Sequence, residues 1–192
     1  MKFINKKEIT IVNSILTDAF INNQSVNYLL KRKKDKSLIS KLMDYSLEKA
    51  KLYGHICLNE NNNACCILLD PKRVKNQSAF RSLWLDIRLI FTVVGIKNLK
   101  KVSNKEHITK KYLPKDIDYI HLWFIGVESS MQGKGVGYKL MNEIIDYYSG
   151  IKDAICLETS TLINLPFYKK LGFEIYHKEN FGFDFYFLIR YL

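Results

Sequence analysis

The residues of this chain whose types and spacing could do chemistry begin with Gln132-Gly133-Lys134-Gly135-Val136-Gly137. Glycine has no Cβ, so such a turn lets the backbone come close to a ligand. Beyond it, Leu140, Met141, Ile144, Ile145 and Tyr148 recur at three- and four-residue spacing, which predicts a helix. The first amides of a helix lack internal partners and carry the positive end of its dipole. Turn and helix together make a seat for phosphate oxygens. Upstream, the apolar run from Tyr119 to Val127 reads as a strand, joined to the turn by Glu128-Ser-Ser-Met131. The elements that must position the glycines are therefore a strand, a loop and a helix, in that order.

Three glycine-loop chemistries compete. The G-x-x-x-x-G-K-[ST] string of a nucleoside-triphosphate loop is absent. The dinucleotide pattern G-x-G-x-x-G fails at its third glycine, where Tyr138 stands. Glu158 lies near the distance expected of a ribose-binding acid, but only about fifty residues follow the loop, too few for the rest of a doubly wound sheet. The pattern Q/R-x-x-G-x-G/A is met by Gln132, Gly135 and Gly137. Here the sequence resembles the GNAT family, the Gcn5-related N-acetyltransferases that bind acetyl-CoA. The flanks agree with the family. Val127 stands five residues before Gln132, as the last apolar residue of the preceding strand should. The strand-like run from Ala154 to Thr159 follows, then Leu165-Pro-Phe-Tyr168-Lys-Lys-Leu-Gly172-Phe173. The resemblance is strong over 119–190 and loose over 1–70.

The resemblance implies an α/β (α+β) fold, a mixed and mostly antiparallel central sheet flanked by helices. It implies acetyl-CoA as cosubstrate, no metal, and a small-molecule or peptide amine as acceptor. In the family, the amides of Gly133, Lys134, Gly135, Val136 and Gly137 would hold the pyrophosphate. Backbone groups of Ile125 and Val127 would pair with the pantetheine arm and face the thioester oxygen. The family's strand glutamate falls at His121, whose imidazole is a candidate general base. Glu158 on the next strand is the rival base. Tyr168, four residues before Gly172, occupies the position of the acid that protonates the departing thiolate. One departure stands out: the family's Asn seven residues before that Tyr is Thr161 here, with Asn164 nearby as a substitute for its contact to the pantetheine arm.

Length and composition set the frame. With 192 residues, 1–192 reads as a single domain. Thirty Lys and Arg against nineteen Asp and Glu give a net charge of +11, which suits an anionic ligand. The basic residues are spread along the chain rather than gathered on one element with interleaved aromatics, so nucleic acid is not the expected partner. A non-catalytic acyl-CoA-binding module, or a basic nucleic-acid-binding module on the same fold, is the reading to set against the enzyme. Cys57, Cys65, Cys66 and Cys156 each lie in an apolar run with neither disulfide nor zinc spacing, so they read as small core residues in a reducing cytoplasm. The first residues carry no apolar signal core and no apolar run would span a bilayer. The aromatic C-terminal strand could serve a homodimer.

The remaining elements follow from periodicity. Residues 6–20 and 36–52 predict amphipathic helices, the second closed by Gly54 as a C-cap. Residues 22–30 read as a polar break and a short apolar turn. The basic run Lys31-Arg-Lys-Lys34 reads as a solvated loop in preference to a contact to the CoA 3′-phosphate or to nucleic acid. Residues 55–58 and 64–69 form a hairpin, and 173–177 and 183–191 two more strands. Residues 72–113 read as a helical insertion that shapes the acceptor side. Within it, Trp84 and Phe91 either line an aromatic pocket or pack in the core.

Overall fold

The computed structural model describes residues 1–4, 6–73 and 78–192. Seven strands form one sheet: β1 (Lys2–Phe3), β2 (Gly54–Leu58), β3 (Ala64–Leu69), β4 (Tyr119–Val127), β5 (Ala154–Thr159), β6 (Glu174–Asn180) and β7 (Asp184–Tyr191). Their order is β1-β2-β3-β4-β5-β7-β6. Every neighbouring pair is antiparallel except β4 and β5. That parallel pair needs a crossover, and the helix α6 (Val136–Tyr148) supplies it.

Helices cover both faces. On one, α1 (Ile9–Ala19) and α3 (Lys36–Tyr53) pack Leu16, Ile39, Met43 and Leu47 against Cys65, Ile67 and Phe124. On the other, α6 and the short α7 (Leu165–Lys170) pack Leu140, Met141, Ile144 and Tyr168 against Cys66, Ile120, Leu122 and Leu157. Adjacent Cys65 and Cys66 thus enter opposite clusters, as the pleat requires. All four cysteines are buried and free.

The site-forming feature is where the sheet comes apart. Pairing of β4 with β5 runs from Tyr119–Ala154 to Leu122–Leu157 and stops, while β4 continues to Val127. Against β3, the register slips between the Ile67–Phe124 and Leu68–Leu122 pairs, leaving Trp123 as an extra residue. Such a bulge bends a strand and re-aims its side chains. Beyond it the backbone edge of β4 that would face β5 has no strand partner, so its polar groups are open to a ligand.

Several sequence expectations are revised. The polar break at 22–30 contains a helix, α2 (Gln24–Leu29), whose N-cap Asn23 accepts a hydrogen bond from the Val26 amide at 2.9 Å. Gly54 does cap α3, its amide donating to the Ala50 carbonyl, but with φ −167° it is extended and also opens β2; glycine is needed there because a Cβ would lie 1.8 Å from the Leu68 carbonyl oxygen. Residues 74–77 of the expected insertion lie outside the described residues. The rest forms α4 (Ser78–Leu89), a π-helical turn (Ile90–Val94) and α5 (Leu99–Tyr112).

Trp84 and Phe91 neither line a pocket nor join the core: they are 53% and 64% exposed. The helix faces the protein with a mixed side, on which Leu85 is buried and Leu89 packs on the core beside polar groups. Asp86 accepts from Tyr45 Oη at 2.7 Å and pairs with Lys49 Nζ at 2.8 Å, and Arg81 pairs with Glu48 at 2.6 Å. Phe80, Leu83, Trp84, Ile87 and Phe91 look outward.

Candidate active site

A groove of about 710 Å³ runs along the end of β4, the glycine turn and the start of α6. Its wall includes Ile125, Val127, Gln132, Gly133, Gly135, Val136 and Gly137. Gly133 and Gly135 have φ of 73° and 76°, the left-handed region that glycine enters without strain, and a Cβ on either would meet nothing within 4 Å. The turn therefore presents bare backbone to open space. No side chain caps α6, so its first amides keep their capacity for an anion. Gly137 serves packing instead: its Cβ would stand 3.2 Å from Val127 Cγ2. Gln132 Nε2 donates to the Val127 carbonyl at 3.1 Å and so ties the turn to the strand end. Lys134 is exposed and stands outside the groove wall.

A second, tighter cavity of about 130 Å³ opens in the gap between β4 and β5. Leu122, Ile125, Leu157 and Glu158 come from the parting strands, and Phe20 and Asn23 from the α1–α2 corner. Asn164 and Tyr168 line both cavities, as do Phe20, Asn23, Ile125 and Thr161. The corner is held to the far strand by two hydrogen bonds. Asn23 Nδ2 donates to Thr161 Oγ1 at 3.3 Å, and the Ser25 amide to Ser160 Oγ at 3.2 Å.

The two rival bases form a pair. His121 Nε2 lies 2.9 Å from Glu158 Oε2, with both side chains about nine-tenths buried (11% and 8% exposed). Glu158 faces the cavity, and His121 stands behind it, outside the lining. The other oxygen, Glu158 Oε1, is buried without a hydrogen-bond partner. Tyr168 is 5% exposed, between the rings of Phe167 and Phe173. Burial pushes its phenol pKa well up, so it keeps its proton across the neutral range.

Residues 92–175 match the family model described as an acetyltransferase (GNAT) domain. Over that stretch the chain is similar to a GNAT acetyltransferase domain. Solved structures agree in fold. One described as histone acetyltransferase HPA2 and related acetyltransferase from Corynebacterium glutamicum superimposes with a TM-score of 0.70, covering 98% of this chain and 93% of that one at 17% identity. A mosquito arylalkylamine N-acetyltransferase, like 5b, gives 0.63 over 100% and 98% at 13% identity. The NatC complex bound to Gag peptide and CoA gives 0.53 over 100% and 96% at 16% identity. Identities this low carry the fold alone. No curated protein sequence matches the chain.

The cavities are also lined by residues that the sequence did not assign to a site. Phe20, expected on the apolar face of the first helix, and Asn23, expected in a polar break, enter from the α1–α2 corner. Lys105 on α5 enters the tight cavity, yet in the text of the chain it is one lysine among many on a basic helix. Lys31 to Lys34 do not line the groove. Among the described residues, no group of His, Cys, Asp and Glu could hold a metal ion, and no helix is long and apolar enough to cross a membrane.

Proposed function

We propose that residues 1–192 act as one acetyl-CoA-dependent N-acetyltransferase, moving an acetyl group to the primary amine of a small molecule or peptide by direct attack in a ternary complex. One observation carries this reading: an open groove along an anion-binding turn meets a small buried cavity holding a carboxylate, and the two share Ile125, Asn164 and Tyr168. The groove fits an extended, phosphate-bearing molecule, with its phosphates at the turn from Gly133 to Gly137 and its arm along Ile125, Val127 and Asn164. The cavity fits an amine. Names borne by similar structures support an amine acceptor, one being an arylalkylamine enzyme and another holding a peptide with CoA.

In this proposal acetyl-CoA supplies the activated acetyl group, and the chain supplies position and proton traffic. Glu158 receives the acceptor's ammonium and takes one proton, with His121 as the relay behind it. The neutral nitrogen bonds to the acetyl carbon as the carbon–sulfur bond breaks. Free amides at the end of β4 face the carbonyl oxygen. Tyr168 gives its proton to the departing sulfur, the new amide nitrogen sheds its second proton to solvent, and the proton left on the Glu158–His121 pair restores the tyrosine through solvent. A non-catalytic acyl-CoA-binding module would have no use for a base and an acid lining one small cavity.

The deciding experiment is calorimetric titration of the chain with acetyl-CoA, with NAD as control, followed by thiol release on addition of amines. Saturable acetyl-CoA binding, no NAD binding and amine-dependent thiol release are expected. Absence of acetyl-CoA binding would overturn the reading.

A further inference from the structure

The tight cavity holds two opposite charges that do not satisfy each other. Glu158 Oε2 is taken by His121, but Oε1 is buried and unpartnered. In the same cavity wall, Lys105 Nζ lies 4.2 Å from the centre of the Phe185 ring and 6.0 Å from that of Phe181. Phe185 shares the cavity wall with Lys105 and Glu158. Lys105 makes no hydrogen bond or ion pair through Nζ with any described residue. Burial lowers its pKa to about 8, against the opposing pull of Glu158 and Glu106, so it remains mainly charged at neutral pH. An unpaired charge in a partly desolvated site is costly. A lysine ammonium without an acid partner and a carboxylate with one oxygen still free, both lining one small space, are complementary to a ligand carrying both signs.

We infer that the acceptor is a small amino acid, its amine received by Glu158 and its carboxylate by Lys105. This rests on the acetyltransferase reading for the reaction, but not for the binding. The cavity's 130 Å³ corresponds to the liquid volume of about four waters, which suits a short carbon chain between the two charged ends. The aromatic faces under Lys105 hold the ammonium by cation–π attraction and leave its protons free to donate to a carboxylate. Ser160 and Thr161 line the same space and stand ready as further polar contacts.

The test uses the full chain saturated with CoA, and binding is read before turnover. Calorimetry compares glycine, β-alanine and 4-aminobutyrate with ethylamine, propylamine and the amino acid methyl esters. At least one amino acid is expected to bind about tenfold or more tightly than its uncharged-end counterpart. Lys105→Met is expected to erase that preference and Lys105→Arg, which keeps the charge, to retain it. Equal binding of amino acids and matched amines would overturn the inference, as would a preference that survives Lys105→Met. Thiol release then separates the two readings. Amino acids that bind through Lys105 without ever being acetylated would leave the pocket assignment standing and remove the enzyme. Acetylation of plain amines and amino acids alike would do the reverse.

Discussion

The segment from β4 to α7 and the segment from α4 to α5 meet around one cavity, yet they relate to their sequence in opposite ways. In the first, each physical demand leaves a local mark. A left-handed turn takes glycine at 133 and 135, a strand end takes Val127, and a helix takes a three-and-four apolar repeat that faces the sheet. In the second, the apolar repeat Phe80, Leu83, Trp84, Ile87, Phe91 faces outward, and the helix docks through Ser82, Asp86 and Arg81 together with Leu85 and Leu89. Periodicity predicts a helix in both cases. It does not say which stripe is inside; only the partner surface decides that, and Tyr45, Glu48 and Lys49 on α3 offer a polar one.

The contrast is sharpened first at the chemistry. Glu158→Gln keeps the shape of the side chain and removes its capacity as a base. A fall in kcat of about 10²- to 10⁴-fold is expected in steady-state assays. A matching loss for His121→Gln with Glu158 intact would move the primary role to the histidine. Tyr168→Phe is expected to lower kcat by about 10²-fold with acetyl-CoA affinity nearly unchanged. An unchanged kcat would reduce Tyr168 to a packing residue.

At the turn, Gly135→Glu places a carboxylate in the groove at a position whose φ of 76° also disfavours a side chain. Acetyl-CoA binding is expected to weaken by about tenfold to 100-fold through like-charge repulsion. Full binding by that variant would break the assignment of the turn and with it the whole comparison.

A pH profile probes the other segment. Lys105 has its pKa lowered by burial, so its charge is present below about pH 8 and lost as pH rises above that value. Glu158 on β5 and Glu106 on α5 are the acids acting on it, and Phe181 and Phe185 are its apolar neighbours. The KM for an amino acid acceptor is expected to rise about tenfold across that range. With Lys105→Arg, charged throughout, the rise should flatten. The same rise in both proteins would assign it to another group.

What was legible in the sequence follows the same physical line. The strand–turn–helix and its glycines were readable because backbone conformation constrains the residue type at those positions. The three residues assigned to proton transfer could be placed by spacing, but their mutual geometry could not. His121 and Glu158 are 37 residues apart in sequence and become a hydrogen-bonded pair only when β4 and β5 align in parallel. Lys105 was hidden because nothing local separates a lysine aimed at a cavity from a solvated one. The β4 bulge at Trp123 was hidden because it is a property of register against β3, not of Trp123 itself.

The smallest expected effect tests the outward face of α4. Leu16→Ala, in the core beneath β4, should cost about 2–5 kcal/mol, since it removes packed atoms and leaves a cavity. Trp84→Ser and Phe91→Ser remove larger side chains, yet they should change stability by no more than about 0.5 kcal/mol, because their surface is already largely in water. In a chain of this length that is about 1–2 °C in Tm, read by thermal unfolding at matched pH. The polar underside should matter more. Asp86→Ala leaves Lys49 without its acid and removes the acceptor of the Tyr45 hydroxyl, both half-sheltered by the helix, so its cost should exceed that of Trp84→Ser. The reverse order would mean that the apolar stripe is the side that packs, and that α4 obeys the same rule as α6 after all.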